Sequence, residues 1–259
     1  MCVVVDRKAR FVWHTGCLLT IADLTFWLTA RHVIEYMWEL QNSAAVKVVS
    51  TKWMDPGADP ELHHVPTDIH DLPAYCDPDL DFGALLIRPG YAAPLLASPN
   101  VIPLTPEVWW HQETARPEGY YVVGMPAEWA EHLEVGRPPG GRQYRASAAL
   151  VCNPVERLRR RRPREKGDFW DHPGKFYARV LEVQDEKGRP LKSIEGMSGG
   201  PILSIERTDE GRFLYRLVGI QSSWLPESRI LRGEPIEEVV RIIASWFEVN
   251  GDDTGEPSP

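Results

Sequence analysis

Apolar and polar residues alternate along this chain in short bursts separated by turn-forming residues. Runs rich in β-branched and aromatic residues stand at 11–21 (FVWHTGCLLTI), 24–30 (LTFWLTA), 44–50, 81–87 (DFGALLI), 119–125 (GYYVVGM), 144–151, 176–184, 201–207 and 213–223. Runs of this length bounded by Gly, Pro, Asp and Ser predict strands. Many strands without long helices between them predict an all-β sandwich or a pair of barrels. One stretch has a different period. In PIEEVVRIIASWFEV (235–249), Ile236, Val239, Val240, Ile243 and Phe247 recur at helical spacing, one face for docking on a core. Pro235 suits a first turn, and Glu237 and Glu238 lie at the positive end of the helix dipole. The remaining NGDDTGEPSP (250–259) lacks apolar anchors and predicts a disordered tail. VERLRRRRPREKGDFWDHPG (155–174) reads as a long exposed loop, and QETARPE (112–118) as a boundary between two halves.

Composition narrows the class. The 259 residues are 43% hydrophobic and 25% charged, with a net charge of −8, enough for a sizeable core and of the wrong sign for nucleic acid. No apolar run approaches a membrane span. The opening MCVVVDRKARFVWHTG carries only three or four apolar residues before its charges, so no secretory signal is expected. Cys2, Cys17, Cys76 and Cys152 are scattered, without a CxxC pair. They read as free thiols in a reducing, cytoplasmic compartment. ELHHVPTDIHD (61–71), with His63, His64, His70, Asp68 and Asp71, matches no metal-ligand spacing and reads as a loop. RLRRRRPREK (157–166) reads as a solvated charge run, and VWWHQE (108–113) as packing aromatics. No metal and no cofactor is expected.

The chemistry concentrates in IEGMSGGPIL (194–203), where three glycines and Ser198 fall within five positions. A serine hydroxyl becomes a nucleophile only when a base removes its proton and donors stabilise the resulting oxyanion. Glycines let backbone amides converge for that purpose. GxSxG also describes the nucleophile elbow of α/β-hydrolases, whose histidine follows the serine. None of the eight histidines here lies after Ser198, so that architecture is excluded and any base comes from upstream. His32 follows the apolar FWLTA, and Asp81 stands directly before an apolar strand, with Asp79 as its rival. The chain order is His, Asp, Ser.

LTARHV, DFGALLI and GMSGGP together resemble the three active-site motifs of trypsin-like (chymotrypsin-fold) serine proteases, in their bacterial cytosolic-type branch. GCLLT, YYVVGMP and LVGIQSSW extend the resemblance over roughly residues 11 to 224. It implies two six-stranded antiparallel β-barrels, about 1–111 and 119–234, closed by the helix at 235–249. It also implies hydrolysis of a protein or peptide substrate. Ser198 would be the nucleophile, His32 the general base and then acid, and Asp81 the carboxylate that orients it. The amides of Gly196 and Ser198 would form the oxyanion hole, and Ser222 would support the aspartate.

Some positions depart from the family. Met197 replaces the aspartate that pairs with a new N-terminus in the digestive members, and no matching activation sequence precedes the first barrel. The site is therefore expected either to stand formed or to be ordered by an activating partner, as in a bacterial regulatory or defence system. Val33 follows His32 where secreted members carry cysteine. Counting back six residues from Ser198 reaches Lys192, which would favour an acidic residue before the cut or else be a solvated turn lysine. Trp224 would narrow the pocket mouth. The alternative function is a catalytically silent module of the same fold that binds a partner protein.

Overall fold

The computed structural model describes residues 2–5, 10–43, 48–54, 64–66, 69–90, 96–97, 101–109, 117–129, 131–136, 143–147, 150–158, 174–182, 184, 188 and 190–250. The second half closes on itself. Strands β9 (Gly119–Gly124), β12 (Val151–Arg157), β13 (Phe176–Val180), β14 (Pro201–Arg207), β15 (Phe213–Leu225) and β16 (Ile230–Pro235) form a closed six-stranded barrel in the order β12-β13-β16-β15-β14-β9. All pairings are antiparallel. Alternate residues point inward, as closure requires: Val151, Asn153 and Val155 on β12, and Phe176, Ala178 and Val180 on β13, are buried. Their core includes Met197, Ile194 and Leu191 from the glycine-rich segment. Between β9 and β12, β10 (Glu131–Gly136) and β11 (Gln143–Ser147) pair as a separate two-stranded ribbon.

The first half differs from the expected second barrel. Among the described residues it comprises two four-stranded sheets. One is β3 (Cys17–Ile21), β4 (Leu24–Thr29), β8 (Gly83–Leu86) and β7 (Ala74–Cys76), in the order β3-β4-β8-β7. The other is β1 (Cys2–Val5), β2 (Arg10–Trp13), β5 (Val48–Met54) and β6 (His64–Pro66), in the order β2-β1-β5-β6. The apolar run 11–21 divides between β2 and β3 at His14–Gly16, and so feeds two sheets instead of one continuous strand.

A helix absent from the sequence expectation, α1 (Arg31–Asn42), buries Val33, Ile34 and Met37 against Trp27, Ile69, Leu85 and Ile87. A short helix α2 (Pro106–Trp109) and a longer α3 (Ile236–Asn250) follow. The C-terminal helix is thus present, shifted by one residue: Pro235 ends β16 opposite Gly219, and the helix begins at Ile236. Its Ile236, Val239, Val240 and Ile243 share one core with Leu19, Phe26 and Leu86 of the first half and with Leu217 and Ile220 of β15. Burying each such side chain contributes about 1.5–3 kcal/mol, so this core joins the halves and fixes β4 relative to β15. The exposed loop expected at 155–174 begins as β12 and lies otherwise largely outside the described residues. So do Arg159 to Lys166, residues 251–259, His63, Asp68, His111 and most of the 112–118 boundary.

Candidate active site

His32 is the second residue of α1, just beyond the end of β4. The first amides of a helix have no partner within it, and Ala30, which precedes α1, offers no side-chain cap. Asp81 fills that gap from the next strand connection. Its Oδ1 accepts the His32 backbone N–H at 3.2 Å, and its two oxygens lie 3.0 and 2.9 Å from His32 Nδ1. The carboxylate also sits at the positive end of the helix dipole, which stabilises it. A carboxylate without a proton only accepts hydrogen bonds, so the pairing assigns the donated proton to Nδ1 and leaves Nε2 as the ring's outward nitrogen. The His32 side chain is 50% exposed and that of Asp81 23%, so the ring edge faces solvent and the carboxylate backs it.

The loop before Asp81 is built to hold it. The Asp77 carboxylate accepts the amides of Asp79 (2.9 Å) and Leu80 (2.8 Å) and the Tyr75 hydroxyl (2.8 Å), an Asx turn. Arg31 donates to the carbonyls of Asp77 (3.3 Å) and Pro78 (2.9 Å) while its Nε pairs with Glu35 at 2.7 Å. The residue before the histidine therefore ties the helix to the loop of the aspartate. Asp79 lies exposed on that loop, with only its backbone engaged by Asp77.

The glycine-rich segment forms two consecutive turns. Met197 N–H donates to the Ile194 carbonyl at 3.0 Å, and Gly200 N–H to the Met197 carbonyl at 2.8 Å. Gly196, third in the first turn, has φ +88°, the left-handed value that a type II turn demands and glycine supplies. Gly199 N–H donates to the Gln221 carbonyl at 2.7 Å, and Gln221 N–H to the Gly200 carbonyl at 2.9 Å, anchoring Ser198 to β15. The amides of Gly196 and Ser198 are left without a hydrogen bond among the described residues. The peptide planes aim them. The Glu195 carbonyl accepts Ala127 N–H at 2.7 Å, and in a trans peptide the Gly196 N–H then points the opposite way. The Met197 carbonyl is held by Gly200, and the Ser198 N–H is directed by the same logic.

Contact between the halves seats the residue after Ser198 on the end of β4. A β-carbon on Gly199 would lie 2.6 Å from Thr29 Cα and 2.7 Å from the Thr15 carbonyl oxygen. The residue after Ser198 thus abuts the residue three before His32. No hydrogen bond joins Ser198 Oγ to His32 among the described residues; catalytic hydrogen bonds often tighten only with substrate bound.

The remaining expected residues lie around this turn. Lys192 is exposed, its amide held by Glu128 Oε1 at 2.7 Å. Trp224 is half-buried against the barrel core that contains Met197. The β15–β16 register shifts between Gln221 and Ser223, and Ser222 Oγ donates to the Arg232 carbonyl at 3.3 Å with no hydrogen bond to Asp81. Sequence reasoning missed Thr15, which bridges Gly196 and Met125, and Arg31; the one local signal was an arginine adjoining His32.

Burial tunes the neighbours. His14 packs edge-on to Tyr36 at 5.8 Å, and burial, with His32 nearby, pushes its pKa down to about 3. Cys17, Cys76 and Cys152 are free thiols, and burial pushes Cys17 up to about 12 and Cys76 up to about 11. Among the described residues no cluster of His, Cys, Asp and Glu is arranged to hold a metal, and no helix is long and apolar enough to cross a membrane.

No family model and no curated protein matches the chain. Solved structures to which it is similar include trypsin-like, chymotrypsin-fold proteases. The Rv3671c protease of M. tuberculosis in its active form is 17% identical, over 94% of this chain and 77% of that one, with a TM-score of 0.40. Kallikrein-related peptidase 10 is 15% identical over 96% of both chains, with a TM-score of 0.43. Deg5 is 16% identical over 93% of this chain and 84% of that one, with a TM-score of 0.39.

Proposed function

We propose that this protein is a serine endopeptidase that cleaves a protein or peptide substrate through an acyl-enzyme intermediate. The observation that carries the proposal is the pairing of His32 Nδ1 with Asp81 at 2.9 Å, beside a serine turn whose Gly196 and Ser198 amides are unspent. In the first step Ser198 Oγ attacks the scissile carbonyl and its proton passes to His32 Nε2. Asp81 stabilises the imidazolium, and the two amides take the charge developing on the carbonyl oxygen. Collapse expels the amine, which takes the proton from His32, and leaves the acyl group on Ser198. Water, deprotonated by the same nitrogen, then repeats the attack and releases the acid.

Lys192 is assigned to the acidic side chain before the cut and Trp224 to the pocket mouth, which a mixed peptide library profiled by mass spectrometry will read directly. The fixed peptide planes of the serine turn support an enzyme that needs no activating partner. Cys17, Cys76 and Cys152, free thiols among the described residues, support a reducing compartment such as the cytoplasm.

Wild-type protein is expected to be labelled covalently by a fluorophosphonate probe, and Ser198→Ala to lose the label while keeping its unfolding transition. Equal labelling of both proteins would remove Ser198 from its role. The open Ser198–His32 contact favours a second reading, a silent module that binds a partner; absence of labelling and of peptide cleavage in the wild type, both alone and with neighbouring gene products added, would favour it.

A further inference from the structure

Three consecutive carbonyls of the serine turn are each held by a donor. Those of Glu195 and Met197 are held by backbone amides, of Ala127 at 2.7 Å and Gly200 at 2.8 Å. The carbonyl between them, Gly196, is held by a side chain: Thr15 Oγ1 donates to it at 2.7 Å. Thr15 belongs to the first half, in the short break between β2 and β3, 181 residues away in sequence. Its one donor is thereby spent, and the same oxygen also accepts Met125 N–H at 3.0 Å. Its own carbonyl accepts Thr29 Oγ1 at 2.8 Å, and Thr29 lies three residues before His32. Thr15 itself is buried.

Resting on the peptidase reading above, we infer that Thr15 is a positioning residue for the oxyanion hole. Its hydroxyl sets the Gly196–Met197 peptide plane, so that the flanking Gly196 and Ser198 amides keep their aim. A glycine with two soft dihedrals is the loosest point of the turn, and this bond is the one restraint on it contributed by a side chain among the described residues. At the next residue, Met197, backbone hydrogen bonds to Ile194 and Gly200 are joined by a side chain fully buried in the barrel core. Thr15 and Met197 thus give the loop a fixed form without a charged pair beneath it. Because the clamp runs through Thr15 and Thr29 to the end of β4, it couples the oxyanion amides to the helix that bears His32.

The test measures the fluorophosphonate labelling rate constant of the full chain from pH 5 to 9 for wild type, Thr15→Val, Thr15→Ala and Thr15→Ser. Small misplacements of a catalytic group cost on the order of 100-fold. Thr15→Val and Thr15→Ala are therefore expected to lower the plateau rate about 10- to 100-fold with the pH midpoint unchanged, because His32 and Asp81 are untouched. Thr15→Ser, which keeps the hydroxyl, should return to within about threefold of wild type. The inference is overturned if Val and Ala label within threefold of wild type, if Ser falls as far as they do, or if the midpoint moves with the plateau. It is equally overturned if Val and Ala lose the cooperative unfolding transition while Ser retains it, since the hydroxyl would then serve the fold. A wild type that fails to label sinks the peptidase reading and this inference with it; a labelled wild type matched by Thr15→Val sinks the Thr15 assignment alone.

Discussion

Gly199 seats directly on Thr29: a β-carbon added to the glycine would come within 2.6 Å of Thr29 Cα. This contact sets the spacing between the serine turn on the closed barrel and the strand that leads into α1. Gly199 also has φ +87°, where a side chain costs about 1–2 kcal/mol. Backbone opposite backbone cannot give way as a flexible side-chain tip does. Gly199→Ala is therefore expected to destabilise the protein by about 2–4 kcal/mol, strain and overpacking combined. It should also reduce fluorophosphonate labelling at least 100-fold under conditions where the variant is folded. Urea unfolding followed by tryptophan fluorescence, alongside the labelling rate, checks both parts.

Asp81 and Asp79 are two residues apart, yet only Asp81 meets the imidazole. Asp81→Asn keeps an oxygen able to cap the His32 amide but removes the ionised acceptor that fixes the Nδ1–H tautomer. Labelling at neutral pH should fall by a factor on the order of 10³–10⁴, with the helical signal in far-UV circular dichroism retained. Asp79→Asn should label at the wild-type rate. A matching loss in both variants would show that the loop as a whole, and not one carboxylate, carries the effect.

Much of this site was legible because each motif joins a chemical group to a local backbone need. Ser198 stood out through the glycines that its turns require, and Asp81 through the apolar strand it precedes. The helix α1 was not legible for a physical reason. Ala30 offers no cap and the first turn holds no acidic residue, so the usual start signals are missing and the cap arrives from Asp81, 49 residues later. The Thr15 clamp was hidden likewise: its partner lies 181 residues away, and a threonine before a glycine signals nothing by itself. The setting of Ser222 was not legible either: a register shift of the β15–β16 pairing falls beside it and its hydroxyl donates to the Arg232 carbonyl, and bulges of this kind leave no mark in an apolar run.

His14 gives the protein a stability profile in pH. Its folded pKa is about 3, lowered chiefly by burial, against about 6.5 in an unfolded chain. Between these values the unfolded state binds the extra proton, so stability is full above pH 6.5 and declines as pH falls toward 3. The slope assigned to one proton is about 1.4 kcal/mol per pH unit. Replacing His14 with Gln removes the titrating group, so the variant should lose less stability than wild type between pH 6 and 4. Urea midpoints across that range, wild type against His14→Gln, provide the measurement. Parallel curves would mean that His14 is protonated in the folded protein.

Lys175 and Glu234 form an ion pair at the barrel wall where β13 and β16 run together, with side chains 6% and 1% exposed. Two charges taken out of water are costly to bury, and their mutual attraction returns little net gain over a well-packed apolar pair. The consequence of breaking the pair is asymmetric. Lys175→Met leaves Glu234 buried and unpaired, and Glu234 Oε1 already has no hydrogen-bond partner among the described residues. That variant should lose about 3–5 kcal/mol. Adding Glu234→Leu removes the stranded charge, so the double variant should recover most of the loss although it carries one more change from wild type. Urea unfolding of the single variants and the double variant, with the slopes compared to confirm a common unfolding transition, distinguishes this from simple additivity. Additive losses would mean that water reaches the pair and screens it, and that the barrel end is open where the side chains are buried from view.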